Sequence, residues 1–284
     1  MLTSIGQMAD FGIKNRIIIF DKRHLESFQV DTASHLLSSF MTESDQNDDV
    51  TFSFIHLILQ EFFAALIHYL PFYSGNLTDL LNKSRLCPKV HGELVLRFIC
   101  GLSDNTTRAL LKPYMEELST EASRKVVNWL VSILQSEMLE SYKKDKRRLL
   151  NVFFYLFESR NKALVTQTLK PFKCFEFFRV HHTPLHCAVL AFILNCCEDI
   201  ERLYLNECNI ESEGLEKLKR VLHTIKDIRL CGINLTDEQM PLLAQLSNNR
   251  SLKYLEFSSK AVSDRSAGYI RELMQASSSL QEIR

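Results

Sequence analysis

His181, His182, His186 and Cys187 bring zinc-ligand side chains close together, and His182 and His186 are spaced as an i, i+4 pair on a helix that starts near Pro184. A proline two residues beyond His182 disfavours helix at the first of them, and the HExxH glutamate is missing, so no metal site is expected. A Cys–His hydrolase would need a spacing that selects one pair. The 8 cysteines (Cys87, Cys100, Cys174, Cys187, Cys196, Cys197, Cys208, Cys231) and 9 histidines offer none. Without CxxC pairs, the cysteines read as reduced, buried thiols. The basic run Lys143, Lys144, Asp145, Lys146, Arg147, Arg148 reads as a solvated helix start, since no interleaved aromatics accompany it. No G-x-x-x-x-G-K-[ST] loop supplies backbone amides and a lysine for phosphates, so the chain is read as no enzyme and as needing no cofactor by itself.

The chemistry that remains is recognition, and a repeat positions it. Ile200, Leu203, Leu205, Cys208 and Ile210 fit the frame LxxLxLxx(N/C)xL. The frame recurs at Ile225, Ile228, Leu230 and Leu235, then at Leu252, Leu255, Phe257 and Val262, then at Leu280 and Ile283. The steps fall within the ~20–29 residues of leucine-rich repeats. Each interval holds a helical stripe such as Leu215, Leu218, Val221, Leu222 or Met240, Leu243, Leu246. Alternation turns Leu203 and Leu205 inward and leaves Arg202, Tyr204, Asn206, Asp227, Arg229, Tyr254 and Glu256 on an outward face, the candidate protein-binding residues. Ile233 and Lys260 stand where the first repeat has Cys208. The last repeat stops at Arg284 without a cap, so a fragment or truncated product is expected.

Upstream, Val126, Val127, Leu130, Val131, Leu134, Met138 and Tyr142 form one amphipathic stripe, and Leu149, Leu150, Phe153, Phe154 and Phe157 another. With helices at 91–102 and 161–169 they predict a helical domain, and Phe172, Phe175, Phe177 and Phe178 a seal between it and the repeats. The first seventy residues alternate: a helix from Leu2 to Phe11 ended by Gly12, a strand from Arg16 to Phe20, and a helix from Lys22 to Phe28. A polar segment, Thr42 to Asp49, then leads to a strand from Val50 to Phe54 and a helix from His56 to about Tyr69. Helices interrupted by a small hairpin suggest a winged helix. The apolar stretch Phe52 to Leu70 carries Gln60 and Glu61 at its centre, and an ionised group there costs roughly 3 kcal/mol in a bilayer, so it reads as a buried helix. Zero net charge gives no whole-chain footprint for nucleic acid, and no secretory signal opens the chain.

Phe54-Ile55-His56 followed by Gln60-Glu61-Phe62 and Ala64-Ala65 resembles the F-x-H-x-x-x-Q-E-F-x-A-A segment that closes the winged helix of NACHT-LRR proteins, the NOD-like receptors. Residues 149–160 resemble a helix of that family's second helical domain. The resemblance implies a mostly α, multidomain chain: a winged-helix domain at 1–75, a helical domain at 76–178, and an α/β leucine-rich-repeat solenoid at 179–284. It implies the regulatory and protein-interaction part of a cytoplasmic innate-immune, inflammasome-type receptor that binds ADP or ATP at full length through an upstream NACHT domain. In the family the winged-helix histidine touches the β-phosphate of ADP, which assigns nucleotide contact to His56 once that domain is in front. Read from its residues alone, His56 is a core histidine bonded to a backbone carbonyl rather than a phosphate contact. The alternative function is a stand-alone leucine-rich-repeat scaffold or decoy that binds a receptor partner without nucleotide.

Overall fold

Helix α1 (Leu2–Asn15) buries Ile5, Met8, Ala9 and Gly12 on one face, the i, i+3, i+4 spacing of an amphipathic helix. It runs through Gly12, where an end was expected. The left-handed residue that stops it is Arg16 (φ 59°), and the Ile17 amide returns 2.8 Å to the Gly12 carbonyl. Gly12 serves close approach instead: a β-carbon there would strike Gln60 and the Phe20 ring. Because Arg16 and Ile17 complete this cap, the strand predicted from Arg16 is displaced and β1 spans Ile19–Asp21. The computed structural model describes residues 1–46, 49–71, 73, 75–86, 92–115, 117–140, 146–259 and 263–284. Cys87, His91, Tyr142, Lys143, Lys144, Asp145, Lys260 and Val262 lie outside the described residues, as does the side chain of Leu243.

Two compact units are present, residues 1–133 with 158–160, and residues 134–157 with 161–284. In the first, α2 (Lys22–Ser27) starts at a capping box: Asp21 accepts from the His24 amide at 2.9 Å, and the Asp21 amide donates to the His24 ring at 3.3 Å. After α3 (His35–Ser38), β2 (Met41–Gln46) pairs antiparallel with β3 (Asp49–Phe54), and the sheet order is β1-β3-β2. The segment at 42–49, expected to be a connector, thus contains most of a strand. Thr42 to Asp45 are exposed, so the strand rests on backbone pairing and carries no alternating signal.

Helix α4 (Leu57–Leu66) and the 3₁₀ turn Ile67–Tyr69 pack against α1. Phe20, Phe54 and Phe63 are almost fully buried, each burial stabilising by roughly 1.5–3 kcal/mol. Next come α5 (Leu77–Leu86), α6 (Glu93–Leu102), α7 (Asn105–Leu111) and the first part of α8 (Thr120–Glu140). Two buried polar tips are satisfied by backbone: Tyr69 Oη donates 2.6 Å to the Ile99 carbonyl and Trp129 Nε1 donates 3.0 Å to that of Leu81. Among the described residues, no helix is long and apolar enough to cross a membrane.

The second unit holds the rest of α8, then α9 (Lys146–Ser159) as far as Phe157 and α10 (Lys162–Leu169), with Leu149, Leu150, Phe153 and Phe154 buried as the stripe predicts. Strand β4 (Cys174–Phe178) follows, then α11 (Pro184–Asn195), β5 (Arg202–Asn206), α12 (Ser212–Leu222) and β6 (Asp227–Leu235). The chain continues with α13 (Pro241–Gln245), β7 (Tyr254–Ser259), α14 (Asp264–Ala276) and β8 (Glu282–Ile283). All neighbouring strands are parallel in the order β4-β5-β6-β7-β8, each joined to the next through a helix. Leu203, Leu205, Ile228, Leu230, Leu252 and Leu255 are at most 1% exposed beneath it. The sheet begins at Cys174, before position 179. Phe175 and Phe177 are buried in its core and meet Phe153 of α9 with ring centroids 6.3 and 6.2 Å apart, so these two join the helices to the sheet as expected, whereas Phe178 is 51% exposed.

Candidate functional site

Strand alternation places the predicted outward residues on one face, and the register lines them in rows. Arg202 pairs with Asp227 and Asp227 with Tyr254; Tyr204 pairs with Arg229 and Arg229 with Glu256. The inner members satisfy one another. Tyr204 Oη donates 2.6 Å to the carboxylate of Asp227, which is 8% exposed. The Arg229 guanidinium lies 4.2 Å over the Tyr204 ring, with Nε 3.4 Å from Asp227 and 3.7 Å from Glu256. Burial, then the bond to Asp227, pushes the Tyr204 hydroxyl up to about 12, so it stays a donor at neutral pH. Stacking and pairing at such a half-buried site hold the guanidinium in place by roughly 0.5–1 kcal/mol.

What this network leaves for a partner is Arg202, exposed, and Tyr254, 40% exposed beside a pocket of about 170 Å³ also lined by Glu256, Glu282 and Arg284. Asn206 is partly committed, because its Oδ1 accepts from the Cys231 amide at 3.3 Å. Cys174, Glu176 and Phe178 extend the same face, in register with Arg202, Tyr204 and Asn206. The period-2 pattern of residues 174–178 carried that signal, but the phenylalanines drew it into an aromatic cluster. Arg179 covers the exposed Phe178 ring at 4.8 Å and pairs with Glu207 at 2.6 Å.

His56 stands in the first unit as the N-cap of α4, and it is exposed rather than a core residue. Its Nδ1 accepts from the Ile58 amide at 3.1 Å. Accepting there puts the proton of the neutral ring on Nε2, the remaining donor of this exposed side chain. One helix amide is thereby used by the ring itself and does not face solvent. Gln60, one turn on, is 1% exposed and donates 2.8 Å to the Ile17 carbonyl, so it braces the strand entry and faces no ligand. Glu61 is 9% exposed, and burial raises its carboxyl above the ordinary value despite the opposing charge of His56.

The histidines near Pro184 are structural. Thr183 and His186 form a capping box at the start of α11, and His182 Nδ1 lies 2.7 Å from the Val180 carbonyl. Burial pulls His182 down to about 4, so it is neutral. Among the described residues no three His, Cys, Asp or Glu side chains form a group able to hold a metal. Cys208, at the motif position, is fully buried with its thiol 3.5 Å from the Phe177 carbonyl. Burial pushes Cys187 and Cys197 up to about 12, which leaves no activated thiol for nucleophilic chemistry among these residues.

Sequence comparison supplies what the geometry does not. The family model of the NLRC4 helical domain HD2 matches residues 56–167, from the His56 cap through most of α10. A zebrafish (Danio rerio) NACHT, LRR and PYD domains-containing protein 1 homolog is 24% identical over 280 residues, covering 90% of this chain and 20% of that protein. Human NACHT, LRR and PYD domains-containing protein 3 is 23% identical over 307 residues (96% of this chain, 29% of that protein), and the human protein 12 is 25% identical over 221 residues (75% and 20%). These similarities support the NOD-like receptor family. The chain spans between a fifth and three-tenths of the length of these NOD-like receptor relatives, and the matched stretch includes α4 as well as the helices that follow it.

Proposed function

We propose that this chain is the regulatory and protein-interaction portion of a NOD-like receptor: a winged helix at 1–75, a helical domain at 76–178 and leucine-rich repeats at 179–284. One observation carries it: a three-stranded antiparallel sheet, the stretch matching HD2 and a parallel sheet with one helix per strand follow one another in the chain. In this reading the chain hydrolyses nothing, works in the cytoplasm, and contributes His56 Nε2–H to the β-phosphate of ADP held by an upstream NACHT domain. That contact holds the receptor closed, while Arg202 and Tyr254, presented by the Tyr204–Asp227–Arg229 network, engage a protein.

The second reading, a free-standing repeat scaffold, is favoured by the sheet face alone, since that face is built without help from the first unit's residues. Isothermal titration with ADP separates part of the claim: this chain is expected to bind no better than millimolar, and micromolar affinity would contradict the division of labour. The same titration after an upstream NACHT domain is joined to the chain is expected to show ADP retained. A joined protein that handles ADP no differently from the NACHT domain alone favours the scaffold.

A further inference from the structure

Helix α11 has no charged residue along its twelve positions, Pro184–Asn195. One face, with Cys187, Leu190, Ile193 and Leu194, is buried; Ala188, Ala191 and Phe192 form a second apolar stripe that is only half covered. A helix apolar on both sides is expected to be covered on both. Beside it lies α12, drawn close because Gly214 has no side chain: a β-carbon there would come within 2.8 Å of Cys187 Sγ. Together the two helices make a groove of about 810 Å³ floored by Ala188, Ala191, Phe192 and Val221.

The rim has a sign. Lys217, Lys219 and Arg220 line the groove against a single carboxylate, Glu216, which pairs with Lys219 at 3.3 Å. Lys217 reaches Glu213 only at 3.8 Å and is half exposed, a pairing worth little in water. The neighbouring surface already takes a helix: Phe157 of α9 packs edge-on against Phe192 with ring centroids 5.3 Å apart. We propose that the α11/α12 groove receives an acidic amphipathic helix from a protein partner. Its apolar stripe lies on Ala188, Ala191 and Phe192, where small floor residues permit close helix approach, and its carboxylates lie beside Lys217 and Arg220. This site is on the helical layer and does not depend on the sheet face.

Two fluorescein-labelled, stapled 18-residue helical peptides with the same leucine stripe test it, one flanked by glutamates and one by lysines. Anisotropy titration of the whole chain is expected to show saturable binding of the glutamate peptide and at least tenfold weaker binding of the lysine peptide. The double substitution Lys217→Glu, Arg220→Glu is expected to invert that preference. Ala191→Gln, which fills the floor at a partly exposed position, is expected to abolish binding of the glutamate peptide at an unchanged melting temperature. Should Ala191→Gln disturb folding, Phe192→Ala provides the second floor variant, with at least a tenfold loss expected. Absence of saturable binding, equal binding of both peptides, indifference to the charge reversal, or binding lost by Tyr254→Ala but retained with a blocked floor would each overturn the proposal.

Discussion

Asn249 is fully buried just before β7, and its amide ties this stretch to the end of α12 and the turn after it, one repeat earlier. Nδ2 donates 2.9 Å to the Leu222 carbonyl at the end of α12 and 2.7 Å to that of Ile225, while Oδ1 accepts from the Ser251 amide at 2.9 Å. Asn249→Ala leaves two buried carbonyls to find other partners; Leu222 keeps a longer contact from the Ile225 amide at 3.4 Å. Net worth of about 0.5–1.5 kcal/mol per bond, with a desolvation penalty for acceptors left bare, gives a loss of roughly 2–4 kcal/mol. At ~2–4 °C per kcal/mol, the melting transition of the second unit should fall by about 5–15 °C in calorimetry. Asn249→Asp should be worse at pH 7, because a carboxylate cannot donate to either carbonyl. Its folded pKa would then lie above the unfolded ~3.9, so the variant's stability should decline as pH rises through that interval and partly recover below pH 4. A melting shift under 2 °C for Asn249→Ala, with a pH-independent Asn249→Asp penalty, would refute the reasoning.

Glu61→Gln should stabilise the first unit at pH 7: burial raises the Glu61 carboxyl, so the native carboxylate costs stability as pH rises above about 4.5, and the advantage of Gln should vanish below pH 4 in denaturant titrations. Gly12→Ala should destabilise by ~1–2 kcal/mol although alanine is the better helix former, because the added methyl meets the Ile17 carbonyl and the Phe20 ring; urea midpoints check it. The Cys187, Cys197 and Cys208 thiols, pushed up to about 12, 12 and 11 by burial, should resist iodoacetamide at pH 8 until urea opens the second unit, as read by peptide mass spectrometry.

The parallel sheet was legible because each strand has one wet and one dry face, so that Leu203, Leu205, Ile228 and Leu230 declare it by alternation. The outward rows then followed from geometry, although the Tyr204–Asp227–Arg229 ties required the register between strands. Strand β2 was hidden because Thr42 to Asp45 bury nothing, and pairing through backbone leaves no side-chain pattern. Gly12 misled because glycine serves both as a helix stop and as room for a neighbour, and only the position of α4 separates the two. His56 was placed at the strand-to-helix boundary, yet its exposure and its bond to the Ile58 amide depend on where the chain folds back. The α11/α12 groove had no local signature: it exists because Gly214 lets two helices approach.

The central claim is that His56 holds a nucleotide-bound receptor closed, and the most direct measurement is the ADP dissociation rate after an upstream NACHT domain is joined to this chain. His56→Ala removes both the α4 cap and the Nε2 donor. Since capping alone is worth ~1 kcal/mol, His56→Asn serves as the control that keeps a good N-cap and shortens the reach. A charge-assisted bond made only in the closed state is worth roughly 1.5–3 kcal/mol, so both variants should release ADP about 10- to 150-fold faster, with the melting temperature lowered mainly in His56→Ala. If His56→Ala lowers the melting temperature, His56→Asn restores it, and neither changes ADP release, His56 is a helix cap and nothing more.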